Sequence, residues 1–123
     1  YIRGVETMNT HTMNIEPKSC PRPRVGKFGV FYPKNYTEWR DRARAMLPIT
    51  EPPTVLTVRF IFKRPKRLKA GERVPHDKRP DLDNCIKSVF DLLTFDDAKI
   101  SSFCASKWYA SDDEEPCIEL EWE

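Results

Sequence analysis

Apolar and polar residues follow two rhythms along this chain, and proline, glycine and charge clusters mark where one gives way to the other. His11, Met13 and Ile15 alternate with Thr10, Thr12 and Asn14, which predicts a first strand. Pro17 to Gly29 is broken by proline and glycine and reads as a loop or loose hairpin. From Tyr36 to Leu47 the period becomes helical, with Tyr36, Trp39, Ala43, Met46 and Leu47 on one face and Pro48 as the stop. A second strand is predicted between Pro53 and Lys63, with Leu56, Val58, Phe60 and Phe62 inward and Val55, Thr57, Arg59 and Ile61 on the other face.

Residues 64–79 have no period and read as a basic, mobile arm that orders on a partner, with His76 a solvated loop histidine. After Pro80 the pattern is helical again: Ile86, Val89, Phe90 and Leu93 form a stripe, and the helix should stop near Leu93-Thr94. Two strands close the chain, one over Lys99 to Tyr109 and one over Cys117 to Glu123 with Ile118, Leu120 and Trp122 inward. Ser111 to Glu115 should join them as a solvated hairpin loop. The order predicts an α+β domain, a small mixed sheet with two helices packed on it, over residues 10–123. Residues 1–9 read as a disordered or non-native extension, with Met8 or Met13 as candidate starts.

Charge changes this picture more than composition does. The net charge is only +2, but Arg59 to Arg79 holds nine basic residues against two acids, and Asp81 to Glu123 holds three lysines against twelve acids. Such asymmetry points to a polyanion for the basic part and a cation for some of the acidic one. The chain has no apolar run fit to cross a membrane and no signal-peptide pattern, so a cytoplasmic protein is expected. Cys20, Cys85, Cys104 and Cys117 never form a C-x-x-C and should be reduced thiols. No G-x-x-x-x-G-K-[ST] occurs, so no nucleotide cofactor is expected.

The chemistry concentrates in Arg79-Pro80-Asp81-Leu82-Asp83-Asn84-Cys85-Ile86-Lys87 and the later Asp96-Asp97. Asp81 is a natural N-cap, Asp83 lies in the first turn, and Asp83, Lys87 and Asp91 fall at i, i+4 and i+8. Each has a plain structural role open to it: a cap, a turn residue, or an i,i+4 ion pair. Together they offer up to five carboxylates and a lysine, a grouping that repels itself unless a proton or hard cation joins it. Such a site suits metal-dependent phosphodiester hydrolysis.

These residues, Arg79-Pro80-Asp81-Leu82-Asp83-Asn84 with Lys87, Phe90-Asp91 and Asp96-Asp97, resemble the signature of the RusA family of Holliday-junction resolvases. The resemblance extends to Pro21-Arg22-Pro23-Arg24, the Tyr32–Leu47 helix and the closing strands. It implies a small homodimeric nuclease, often encoded by phages or prophages, that nicks four-way DNA junctions symmetrically in recombination and repair. Mg2+, with Mn2+ as the alternative, would be the cofactor, and the products would carry 5′-phosphate and 3′-hydroxyl ends.

By position, Asp81, Asp83 and Asp97 are similar to the family's metal-binding catalytic carboxylates, Lys87 to its essential lysine, and Asp96 to the other half of its acidic pair. Only Thr94-Phe95 separates Leu93 from that pair, a shorter turn than members usually have, so Asp96 and Asp97 both stand as candidate metal ligands. Arg22, Arg24 and Lys27, with Lys63, Arg64, Lys66, Arg67, Lys69, Lys78 and Arg79, are the candidate contacts to DNA phosphates. Phe90, Trp108 and Trp122 are candidates for a dimer contact. Two rivals stand beside this reading: a nuclease for flaps or forks, and a branched-DNA-binding module without catalysis.

Overall fold

Leu56, Val58, Phe60 and Phe62 are buried on one side of their strand and Ile61 on the other, which makes β4 (Val55–Phe62) an interior strand. In the computed structural model, which describes residues 8–123, β4 lies at the centre of a five-stranded mixed sheet. Antiparallel to it runs β7 (Cys117–Trp122), whose outer neighbour is β1 (Asn9–Met13). On its other side β6 (Ser102–Tyr109) runs parallel, edged by the two-residue β5 (Val74–Pro75). A parallel pair requires a crossover, and residues 63–101 provide it, carrying α2 (Leu82–Phe90). A separate hairpin, β2 (Arg24–Gly26) and β3 (Gly29–Phe31), precedes α1 (Lys34–Met46). The extension expected over 1–9 lies, for residues 1–7, outside the described residues, and β1 already begins at Asn9.

The sheet has two unlike faces. Leu56, Val58, Phe60, Ile118, Leu120 and Met13 meet Tyr36, Trp39 and Ala43 of α1 and Cys85, Val89 and the following Leu92 of the α2 segment in one core. On the opposite face Arg59 pairs with Glu119 and Glu121, both at 2.8 Å, and Arg73 with Glu114 and Glu119. Beside these pairs a small cluster of Ile61, Ala110 and Cys117 packs under Trp108. The strands β6 and β7 do not form the expected hairpin, because β4 lies between them. The Ser111–Glu115 connection therefore crosses the end of β4, and it is not simply solvated: Asp112 accepts from the Gly71 amide at 2.9 Å and Glu114 holds Arg73.

The buried stripe of α2 is Cys85, Ser88, Val89 and Leu92, one residue ahead of the expected Ile86, Val89, Phe90 and Leu93. Small side chains explain the shift. Cys85 packs as an apolar group, with burial pushing its thiol up to about 11, and Ser88 satisfies its hydroxyl on the Cys85 carbonyl at 2.7 Å. The helix also ends earlier than Leu93-Thr94, at Phe90. Asp91 closes it because α1 holds that residue in place: Tyr36 Oη donates to its carboxylate at 2.8 Å and Arg44 Nη2 to its carbonyl at 2.6 Å. The four cysteines are free thiols.

Candidate active site

Asp81 occupies the N-cap position of α2 with extended backbone, and its carbonyl accepts from the amides of Asn84 and Cys85. Its carboxylate makes no capping bond. The approach to this turn is strapped from below by Lys107, which stands in the helix-covered row of β6 opposite Phe60. Lys107 Nζ donates to the Pro80 carbonyl at 2.6 Å and to the Lys78 carbonyl. Upstream, the Cys20 amide donates to the Asn84 carbonyl at 2.9 Å, so the segment leading to the hairpin also docks on the first turn of α2.

The five acids of the region sort into two kinds. Two have structural duties: Asp91 joins α1 to α2, and Asp96 caps the 3-10 turn Asp97–Lys99 by accepting from the Ala98 amide at 2.9 Å. The other three, Asp81, Asp83 and Asp97, are exposed, and their carboxylates have no hydrogen-bond or ion-pair partner among the described residues. Lys87 is exposed and unpartnered too, so the i,i+4 pair with Asp83 that its spacing allows is not formed. Three free carboxylates are hard oxygen donors and suit a hard divalent cation, which is commonly bound by one or two carboxylates, waters and substrate phosphate oxygens.

Their placement differs from the expectation that they converge. Lys107 lies at the start of α2 and the Phe90 ring at its end, 5.0 Å from the Phe103 ring, so α2 runs antiparallel to β6. Asp81 and Asp83 therefore stand at one end of the helix, and Asp97 follows the other end in the chain, just before β6 begins. A nine-residue helix is about 13 Å long. Among the described residues no group of three or more His, Cys, Asp or Glu side chains is gathered to hold a metal.

The basic arm is pinned at several points. Arg64 donates to the carbonyls of Lys69, Glu72 and Ala110, and Arg67 reaches Tyr109 Oη at 3.2 Å. His76 is not solvated: it is buried, stacked on Tyr109 with ring centroids 4.2 Å apart and edge-on to Phe62 at 4.7 Å. Burial, reinforced by the Lys107 charge, lowers its pKa. The side chains of Lys63, Lys66, Lys69, Lys78 and Arg79 stay exposed and unpaired, as do those of Arg22 and Arg24, while Lys27 rests over Phe28. Phe90, Trp108 and Trp122, the candidates for a dimer contact, pack on Phe103, the small cluster and the main core respectively.

Sequence reasoning passed over Lys107 and the Tyr36–Asp91–Arg44 joint. Lys107 was detectable in principle, as a lysine in the inward row Phe103, Ala105, Lys107, Tyr109 of an otherwise apolar strand face. The joint was not, because it spans 55 residues from Tyr36 to Asp91 and follows no local pattern. Among the described residues no helix is long and apolar enough to cross a membrane.

A comparison with curated proteins finds no match. The family model described as endodeoxyribonuclease RusA matches residues 14–121, which include the hairpin, both helices and all five carboxylates. That span is nearly the whole of the 123-residue chain. The chain belongs to the RusA family of endodeoxyribonucleases, enzymes that cleave junction DNA.

Proposed function

We propose that this endonuclease is a homodimeric, divalent-metal-dependent resolvase that nicks four-way DNA junctions on two symmetry-related strands. The observation that carries this reading is the division of labour among the acids. The fold uses Asp91 and Asp96 and leaves Asp81, Asp83, Asp97 and Lys87 without partners. A D-x-D used only to cap a helix would spend its first carboxylate on the cap, and this one does not. Mg2+ or Mn2+ held by Asp81, Asp83 and Asp97 would supply a water of lowered pKa and neutralise charge on the scissile phosphate. Lys87, one turn along α2 from Asp83, holds a positive charge for the phosphate oxygens as they become more negative. Asp97 is favoured over Asp96 as the ligand because Asp96 is already engaged by the Ala98 amide.

That the described residues of one copy do not gather Asp81, Asp83 and Asp97 into a metal-holding group supports a dimer in which each site takes its D-x-D from one copy and Asp97 from the other. A two-fold axis makes two such sites, as paired nicks require. The unpaired lysines of the arm, with Arg22 and Arg24, would follow the phosphate backbone.

The test is incubation of the purified protein with a synthetic four-way junction, with Mg2+ and with chelator. Symmetric paired nicks only with metal are expected. Cuts on one side only would assign the chain to flaps or forks, and metal-independent binding without nicking would make it a binding module. Mixing inactive Asp83→Asn and Asp97→Asn chains tests the shared site. A mixed dimer of the shared kind has one intact site and yields singly nicked junctions, whereas sites confined to one chain give none.

A further inference from the structure

The most exposed apolar surface of the described residues is the β2–β3 hairpin. Phe28 is 97% exposed at its tip, Val25 84%, Val30 68% and Phe31 53%. Every residue from Arg22 to Phe31 is exposed, and the two strands pair only with each other. A two-stranded ribbon with such a surface is marginal in water, and exposed apolar patches of this kind mark contact sites. The shape is nevertheless specified. Gly29 has φ +119 at the turn, and Phe31 lies so close over Gly26 that a Cβ there would stand 2.7 Å from its ring. That packing leaves Phe28, in the two-residue loop between the strands, free to point outward.

Charge selects the partner. Between Pro17 and Pro33 there are four basic residues and no acid. Lys27 sits 5.9 Å from the Phe28 ring centroid, so the outermost side chains are one cation and one aromatic ring. Four like charges per copy oppose hairpin-to-hairpin contact, and they suit a polyanion with apolar surfaces to stack on. Nucleobases that have lost a neighbour meet both requirements, and base–aromatic stacking tolerates any sequence. The base of the ribbon is tied to both ends of α2: Cys20 bonds its first turn, beside Asp81 and Asp83, and Tyr32 packs with ring centroids 5.3 Å apart on Tyr36, which bonds Asp91 at the other end. From those anchors the strands carry the tip outward by about 15 Å.

We propose that the hairpin is a branch-point wedge, with Phe28 stacking on a base at the open centre of the junction while Arg22, Arg24 and Lys27 hold the flanking phosphates. This rests on the junction-endonuclease reading and adds the element that tells a branch from plain duplex. A continuous duplex offers no unstacked base, so the ring gains little there.

The experiment compares wild-type protein with Phe28→Ala and Phe28→Trp, in chelator, on a four-way junction and on a linear duplex of the same sequence. Phe28→Ala is expected to lose about tenfold in junction affinity while duplex affinity stays within twofold, and Phe28→Trp is expected to keep both. Thymines at the branch point should become reactive to permanganate when wild-type protein saturates the junction, and should stay protected under saturating Phe28→Ala. Equal junction binding by Phe28→Ala and wild type, or equal losses on junction and duplex, would overturn the wedge and leave the nuclease reading intact. So would a Phe28→Ala effect confined to binding of anionic lipid vesicles or to the sedimentation of the dimer. Wild-type protein that binds the junction no better than duplex would instead remove both.

Discussion

Asp81, Asp83, Asp97 and Lys87 are the side chains the fold leaves unspent, and their substitution should separate binding from cutting. Asp83→Asn is expected to keep junction affinity and lose metal-dependent nicking, measured by gel in single turnover. Lys87→Ala should behave alike, with a rate loss of two orders of magnitude or more on the scale of a lost charge-stabilising donor. The adjacent pair offers a sharper contrast. Asp97→Asn should abolish nicking, whereas Asp96→Ala should cost about 1 kcal/mol through its lost cap and keep most activity, as a denaturation curve beside a cleavage assay would show. The D-x-D and the trailing pair were legible in the sequence, because motif and spacing are local. Which of five acids the fold consumes was not, because that depends on Tyr36 and Arg44 reaching Asp91 across the structure and on the backbone of the turn that Asp96 caps.

At the scale of elements, the joint between α1 and α2 holds the helix that carries the site. Tyr36→Phe removes one hydrogen bond and should lower stability by about 1 kcal/mol without changing the cleavage pattern, since Tyr36 lies at the far end of α2 from Asp81. The hydrophobic rhythm located both helices and the interior strands, and it misplaced the α2 stripe by one residue because Cys85 and Ser88 do not read as apolar anchors. It also could not reveal strand order, so β6 and β7 looked like a hairpin although β4 separates them. The arm divides in a way its uniform charge hides. Arg64, Arg67 and Arg73 tie it to the sheet, while Lys66 and Lys69 project freely. Neutralising both lysines should reduce the slope of log affinity against log salt by about two, which a titration series in chelator would measure.

For the molecule as a whole, the basic and acidic stretches of the sequence are partly each other's partners. Arg59 and Arg73 come from the basic stretch and Glu114, Glu119 and Glu121 from the acidic one, and they pair on the open face of the sheet. Arg73, with help from Arg59, holds the Glu119 carboxyl down to about 2. A carboxyl whose folded pKa is depressed adds stability that is present above its ordinary value of 4.5 and lost as pH falls toward 2. Acid unfolding followed by circular dichroism should therefore steepen across that window, and Glu119→Gln should flatten it.

The sheet also joins the earliest described strand to the latest: Asn9 to Met13 of β1 find their partners at Trp122 to Ile118 of β7. During synthesis β1 leaves the ribosome more than a hundred residues before its neighbour exists. Until β7 arrives, β4 lacks one of its two flanking strands and the core beneath both helices lacks Ile118 and Leu120. A nascent chain can thus display the Asp81 motif without the platform that supports it, so nicking competence is expected only once β7 has emerged and paired.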